Sequence, residues 1–151
     1  KKRDLIKELP SNLDLPRPFN NIKLALPGIV VVDGQSFTSY EEESKILGDW
    51  CEAAKDCDWN GIQLIVLADD AGFTAENENN FVWVTFTRSN PAYDIYGIDS
   101  FTSHKHWGCY GPVIIDARSK PHHAPDLIKD PAVERRVDEL GAKGGSLHGI
   151  I

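Results

Sequence analysis

Apolar residues cluster in the chain as short compact runs and as one helical stripe, and the two patterns alternate. "GIVVVDG" (28–34) is a β-branched run closed by Asp33-Gly34, the composition of a buried strand. "SYEEESKILGDWCEAAKDC" (39–57) changes period: Ile46, Leu47, Trp50, Ala53, Ala54 and Cys57 recur at helical spacing and predict one inward face. Ser39 with Glu42 three residues later forms a capping box, and the acidic first turn suits the helix dipole. "GIQLIVLADD" (61–70) is a second buried strand ending in two acids. Strand, helix and strand of these lengths make a βαβ unit, hence a parallel pair. A third strand is expected at "GPVIIDA" (111–117). "DPAVERRVDELG" (130–141) reads as a helix with Asp130 as N-cap, Pro131 at N1, Gly141 just past its end, and a narrow seam of Val133, Val137 and Leu140. The fold class that follows is α/β, a βαβ-based and largely parallel sheet with flanking helices.

Two stretches resist the pattern. "NFVWVTFTRSNP" (80–91) alternates with period two and is rich in β-branched and aromatic residues, which favours a strand, yet the polar run "AENENN" before it can cap a helix. Residues 1–27 carry Pro10, Pro16, Pro18 and Pro27 and read as an arm or linker with one short helix at "RDLIKEL" (3–9). The domain proper then spans 28–140, and 141–151 is a glycine-rich, finally apolar tail that either frays or docks.

A chain of 151 residues is one domain by length and can bury roughly 70% of its unfolded surface. Its 16 basic and 23 acidic residues give a net charge of −7, which disfavours nucleic acid and anionic membrane as partners. The only basic cluster is "KKR" at 1–3. Three cysteines without a CxxC pair argue against a disulfide framework and for a reducing, cytoplasmic setting; Cys51 and Cys57 fall on the helix stripe as packing residues. No apolar run is long enough to span a bilayer, and no secretory pattern opens the chain. The sequence begins without methionine and contains none, as a piece of a longer protein would.

Candidate chemistry gathers at 103–125, where four of the five histidines flank an apolar run. His104, His106 and Cys109 spell H-x-H-x-x-C, which suits zinc by ligand type but matches none of the strong zinc spacings; a small zinc-binding protein is thus an alternative, and no metal ligand is assigned. Cys109 beside His106 lacks a third, orienting residue for nucleophilic catalysis. A pocket asks less: "DARSKPHHAP" follows a strand directly, where α/β folds bind ligands, and brings Arg118, Lys120, His122 and His123 toward the ring of Trp107. Surface histidines in a proline-bounded loop explain the same residues equally well. GxGxxG, P-loop and GxSxG motifs are absent.

"VWVTFTRSNPAYDIYGI" (82–98) followed by "KHWGCYGPVIIDARSKPHHAP" (105–125) resembles the UbiD family of decarboxylases, and within it the phenolic-acid members acting on 4-hydroxybenzoate, protocatechuate or gallate. Trp83, Thr87, Arg88, Pro91 and Asp94 match a family segment, and Ile115, Asp116 and Ala117 match a later strand. The resemblance implies the C-terminal domain of a multidomain, homo-oligomeric enzyme, and a helix rather than a strand at 80–88, which we adopt. It implies reversible loss of carbon dioxide from an aromatic acid. The family's cofactor is prenylated flavin mononucleotide (prenylated FMN) with a divalent metal (manganese or magnesium) and potassium, bound by a preceding domain; no residue here is assigned to it. The expected catalytic residues are His104 and His106, with Thr87, Arg88, Trp107, Lys120, His122 and His123 lining the substrate pocket. A non-catalytic subunit-interaction module, using the helix seam and the "HGII" tail, is the competing class.

Overall fold

A computed structural model describes residues 4–11, 13, 15, 17–124 and 130–150. The basic cluster at 1–3 lies outside them.

Three strands form the centre of one sheet: β2 (Ile29–Asp33), β3 (Leu64–Ala68) and, completing the parallel set, the strand Val113–Asp116. Both edges are antiparallel. β1 (Asn20–Leu26) pairs with β2, and β4 (Ile95–Gly97) pairs with Val113–Asp116. The expected largely parallel sheet is therefore mixed, with Val113–Asp116 numbered β7 after the hairpin strands β5 (Ser100–Ser103) and β6 (His106–Cys109). β1 corrects the reading of 20–26 as linker. Its turn to β2 is Pro27-Gly28, where Gly28 takes φ 75 and proline supplies the fixed dihedral before it. The helix expected at 3–9 is also corrected: residues 4–9 are not helical, and Ile6 exchanges backbone hydrogen bonds with Gly61 and Gly28 instead.

Alternation along the strands feeds two cores. Val30, Val32, Ile65, Leu67 and Ile114 face α1 (Tyr40–Ala53), with Leu47, Trp50 and Ala54. Val31, Val66, Ala68 and Ala117 face the other way, onto α2 (Ala71–Ala75) and α3 (Glu78–Thr87), with Ala71, Phe81 and Val84. Central strands buried on both sides account for the unbroken apolar runs.

α1 differs from its expected stripe. Its buried residues are Glu43, Leu47 and Trp50, followed by Ala54, whereas Ile46 and Ala53 face out. A carboxylate begins the inward face because a buried arginine meets it. The cap is split accordingly: Ser39 accepts from the Glu42 amide at 3.3 Å, while Glu43 reaches back to the Thr38 amide at 3.2 Å.

α3 overrides the strand preference of its sequence. Asn77 caps it by accepting from the Asn80 amide at 2.9 Å, and Phe81, Val84 and Thr85 are buried at helical spacing against the sheet. The helix implied by the family resemblance is the one observed, since burial of that face outweighs β propensity. α4 (Pro131–Gly141) has its Asp130 cap on the Ala132 amide at 2.8 Å but includes Gly141 and buries no residue. The tail turns back on it, Leu147 N–H donating to Leu140 O at 2.9 Å.

A candidate functional site at the carboxyl edge of the sheet

The parallel strands β2, β3 and β7 end at Asp33, Ala68 and Asp116, and the loops after them meet at one edge. Such an edge gathers polar backbone groups, and the chain fills it with charge.

Arg118, two residues past β7, is 1% exposed. Its guanidinium grips Asp116 bidentately, Nε to Oδ1 at 2.9 Å and Nη2 to Oδ2 at 2.7 Å, and Nη2 also reaches Glu43 Oε2 at 2.7 Å. Nη1 donates to Gln35 O at 2.8 Å. The side chain lies flat under Gly34, where a Cβ would stand 2.5 Å from Arg118 Cδ, so only glycine fits that floor. Burial pulls the Arg118 pKa down, but the hydrogen bond and charge of Asp116, then those of Glu43, raise it on balance and keep it cationic.

Lys120 is caged beside it. Its ammonium donates to Asp116 O at 2.8 Å, Arg88 O at 3.1 Å and Arg118 O at 3.2 Å, and pairs with Asp94 Oδ2 at 3.4 Å. Asp94 Oδ2 also accepts from the Asn90 amide at 2.6 Å, while its Oδ1 is buried without a hydrogen-bond partner. Three buried carboxylates thus face two buried cations.

Phe37, Tyr40, Tyr93 and the two histidines roof this network. Phe37 turns its ring face to both Arg118 and Lys120, 5.7 and 5.4 Å from its centre. Tyr40 meets Phe37, Tyr93 and, stacked at 6.5 Å, His122. His123 Nδ1 accepts from the Lys120 amide at 3.1 Å, which places the ring proton of the neutral form on Nε2. Burial, then the neighbouring His122 and Lys120, lower the His123 pKa from its usual value. At the rim Asp69 accepts from Arg88 Nη1 at 2.9 Å and from the Ser119 amide at 2.8 Å, tying the end of α3 to the loop after β7.

The structure divides the expected pocket residues. Gly97 pairs with Val113, so residues 98–112 leave the sheet at the amino end of β7, whereas Arg118–His123 leave at its carboxyl end. His104, His106 and Trp107 belong to the first group. His104 and Lys105, at φ 51 and 67, make the hairpin turn, and His104 and His106 are exposed. Trp107 instead walls a cleft of about 250 Å³ with Gly48, Cys51, Lys55 and Tyr96. Thr87, Arg88, Lys120, His122 and His123 belong to the second group. Lys120 there is an internal strut, 4% exposed, and Thr87 Oγ1 donates within its own helix to Trp83 O at 2.6 Å. His104, His106 and Cys109 do not converge: among the described residues no three His, Cys, Asp or Glu side chains are placed to hold a metal ion. No helix among the described residues is long and apolar enough to cross a membrane. Glu43, Asp69 and Asp94 were missed as site residues; the acid pair closing "GIQLIVLADD" was the available signal for Asp69, and nothing local marked Glu43.

No family model matches the chain. It is 38% identical over 77 residues to a protein of Chlamydia pneumoniae named as a subunit of 4-hydroxybenzoate decarboxylase, 50% of this chain and 13% of that protein. It is 35% identical over 75 residues to an uncharacterized protein of Chlamydia muridarum, 49% of this chain and again 13% of the relative. The chain thus spans about an eighth of these relatives. Among solved structures, vanillic acid decarboxylase of Sedimentibacter hydroxybenzoicus aligns with TM-score 0.44 and 16% identity over 74% of this chain and 26% of that one. The motif resemblance to UbiD-type phenolic-acid decarboxylases is supported by the first of these matches, as a partial domain.

Proposed function

We propose that this chain is the C-terminal part of a reversible, non-oxidative decarboxylase of hydroxybenzoic acids, in which its carboxyl-edge surface closes one side of the substrate pocket. The match to part of a 4-hydroxybenzoate decarboxylase carries this reading. The buried Glu43–Arg118–Asp116 clamp supports it physically, because it fixes the loop that holds Ser119–His123.

Two groups on that surface suit a hydroxybenzoate. Arg88, held by Asp69, puts a positive charge at the rim to which this proposal assigns the carboxylate. His123, with Nδ1 taken by the Lys120 amide, keeps Nε2–H as its remaining donor, and its lowered pKa favours the neutral ring, so in this proposal it donates to the phenolic oxygen. His122 lies exposed beside it, its ring against Tyr40 and edge-on to His123. Decarboxylation releases carbon dioxide and requires one proton at the ring carbon, so a histidine pair here has work in either direction of the reaction. The hairpin pair His104 and His106 is the other candidate for the phenol, reaching from the opposite edge.

This proposal assigns none of the described residues to prenylated FMN or to its divalent metal and potassium. The buried cations of the carboxyl edge are consumed by carboxylates and carbonyls, and the 250 Å³ cleft lies at the hairpin. In this proposal the cofactor belongs to another part of a longer polypeptide. The remainder of that enzyme is the main partner, with homo-oligomerisation through the exposed α4 seam, Val133 and Val137, as the contribution of an interaction module.

The test is isotope exchange between labelled bicarbonate and 4-hydroxybenzoate. The isolated chain should show none and the complete polypeptide should show it; exchange that survives deletion of this segment from the complete polypeptide overturns the proposal.

A further inference from the structure

The cleft of about 250 Å³ lies between the carboxyl half of α1 and the wall made by β4 and the β5–β6 hairpin, whereas the Arg118 clamp takes Glu43 from the first turn of the same helix. Gly48, Cys51 and Glu52, with Lys55 a turn further on, recur at three and four residues and form one wall. Two glycines keep the cleft open. At Gly97 a Cβ would stand 2.8 Å from Trp107 Cζ2 and 2.7 Å from Cys109 Cβ, so the indole rests directly on the strand backbone. At Gly48 a Cβ would meet nothing within 4 Å, so packing does not demand glycine there, although glycine weakens a helix interior. A destabilising residue without a packing reason, facing a cleft, is the mark of space kept for a guest.

Size and charge define that guest. The volume falls just below the roughly 300–1,000 Å³ of sites for drug-sized ligands, which leaves room for a single ring. Trp107 is 50% exposed, and among the described residues no other aromatic ring meets it, so it is open to stacking. Burial, with Cys109 adding to it, pushes the Cys51 thiol up to about 11, so this part of the wall stays uncharged. At the rim Lys55 is 2.6 Å from Glu52, and Asp99 brings a second carboxylate. One cation against two carboxylates repels an anion and leaves an acceptor for a hydroxyl group.

We propose that this cleft is a binding site for one small uncharged hydroxy-aromatic molecule of the phenol class, its ring on Trp107 in the space beside Gly48 and its hydroxyl toward Asp99. The same rim disfavours the carboxylate of an aromatic acid. One ring in a half-open cleft corresponds to a dissociation constant on the order of 1 mM. The proposal stands apart from the decarboxylase reading, which places an acid at the carboxyl edge: an enzyme without turnover would leave binding in the cleft intact, and a cleft that binds nothing would leave that reading intact.

Heteronuclear amide NMR of the isotope-labelled 151-residue chain, titrated with phenol to about 20 mM, well above that constant, is the test. The amides of Gly48 and Gly97 and the indole N–H of Trp107 should shift together and saturate, and 4-hydroxybenzoate should bind there about 10-fold more weakly or less. Gly48→Leu fills the space from the helix side and should abolish these shifts while the thermal melt holds or rises, because the helix loses a glycine. Asp99→Asn keeps an acceptor and suits the left-handed backbone at φ 52 but removes the charge. It should narrow the preference for phenol over the acid several-fold, and it serves if the Gly48 variant misfolds. No saturable shift at Gly48, Gly97 and Trp107, an acid bound as tightly as phenol, phenol binding that survives Gly48→Leu, or a preference unmoved by Asp99→Asn each overturns the proposal.

Discussion

Replacing Arg118 with methionine removes the one group that neutralises both Glu43 and Asp116. The side chain is 1% exposed, so solvent does little screening, and five hydrogen bonds leave with it or lose their geometry: four from the guanidinium and the turn that its own amide makes to Asp116. Breaking a buried ion pair from one side costs about 3–5 kcal/mol, because the abandoned charge stays desolvated. Against a total stability of about 5–15 kcal/mol this is a large fraction, and it corresponds to a fall in Tm of roughly 6–20 °C for a domain of this size. Glu43→Gln keeps shape and part of the hydrogen bonding, and should cost about 1–3 kcal/mol. The double variant decides the mechanism. If the two groups act through each other, its cost is less than the sum of the single costs by about 1.5–3 kcal/mol. Urea unfolding followed by the fluorescence of the buried Trp50 and Trp59 reads all three. Strict additivity, or a cost below about 1 kcal/mol for Arg118→Met, would refute the view that this clamp holds the carboxyl edge.

His123 has a pKa lowered by burial and by its cationic neighbours, so the unfolded chain binds its proton more readily than the folded one. Its contribution is therefore present above the ordinary imidazole range and lost as pH falls through the folded value; stability should drop with acidification below about pH 6.5, and His123→Gln should flatten that slope in a melt series. Gly48 sits inside α1, where a Cβ would meet nothing within 4 Å. Gly48→Ala should stabilise the chain by about 0.5–1 kcal/mol in urea titrations, and a loss of stability would show that the helix is strained there.

The legible part of this fold was the part governed by local chemistry. β2, β3 and β7 were visible as β-branched runs because they are buried on both faces, and the caps at Ser39 and Asp130 were visible because each is a residue type at a fixed offset. α3 was not legible locally: its apolar alternation obeys a surface that only the folded chain supplies. β1 was hidden by the prolines around it, which punctuate a hairpin rather than a linker. Ile46 and Glu43 exchanged places for a reason 75 residues away, the Arg118 guanidinium, and no window of sequence contains both. The candidate site failed to assemble for a topological reason. Proximity in sequence put His104 and His122 in one motif, while a single strand, β7, carries them to opposite ends of the sheet.

Turnover of 4-hydroxybenzoate by the complete enzyme, compared between two paired variants, tests the central claim most directly. His122→Ala/His123→Ala should lower kcat/KM by about 100-fold or more, as loss of a proton-handling group does, while His104→Ala/His106→Ala should stay within about 2-fold of the parent. The opposite ranking would place the substrate at the hairpin and contradict the assignment of the carboxyl edge.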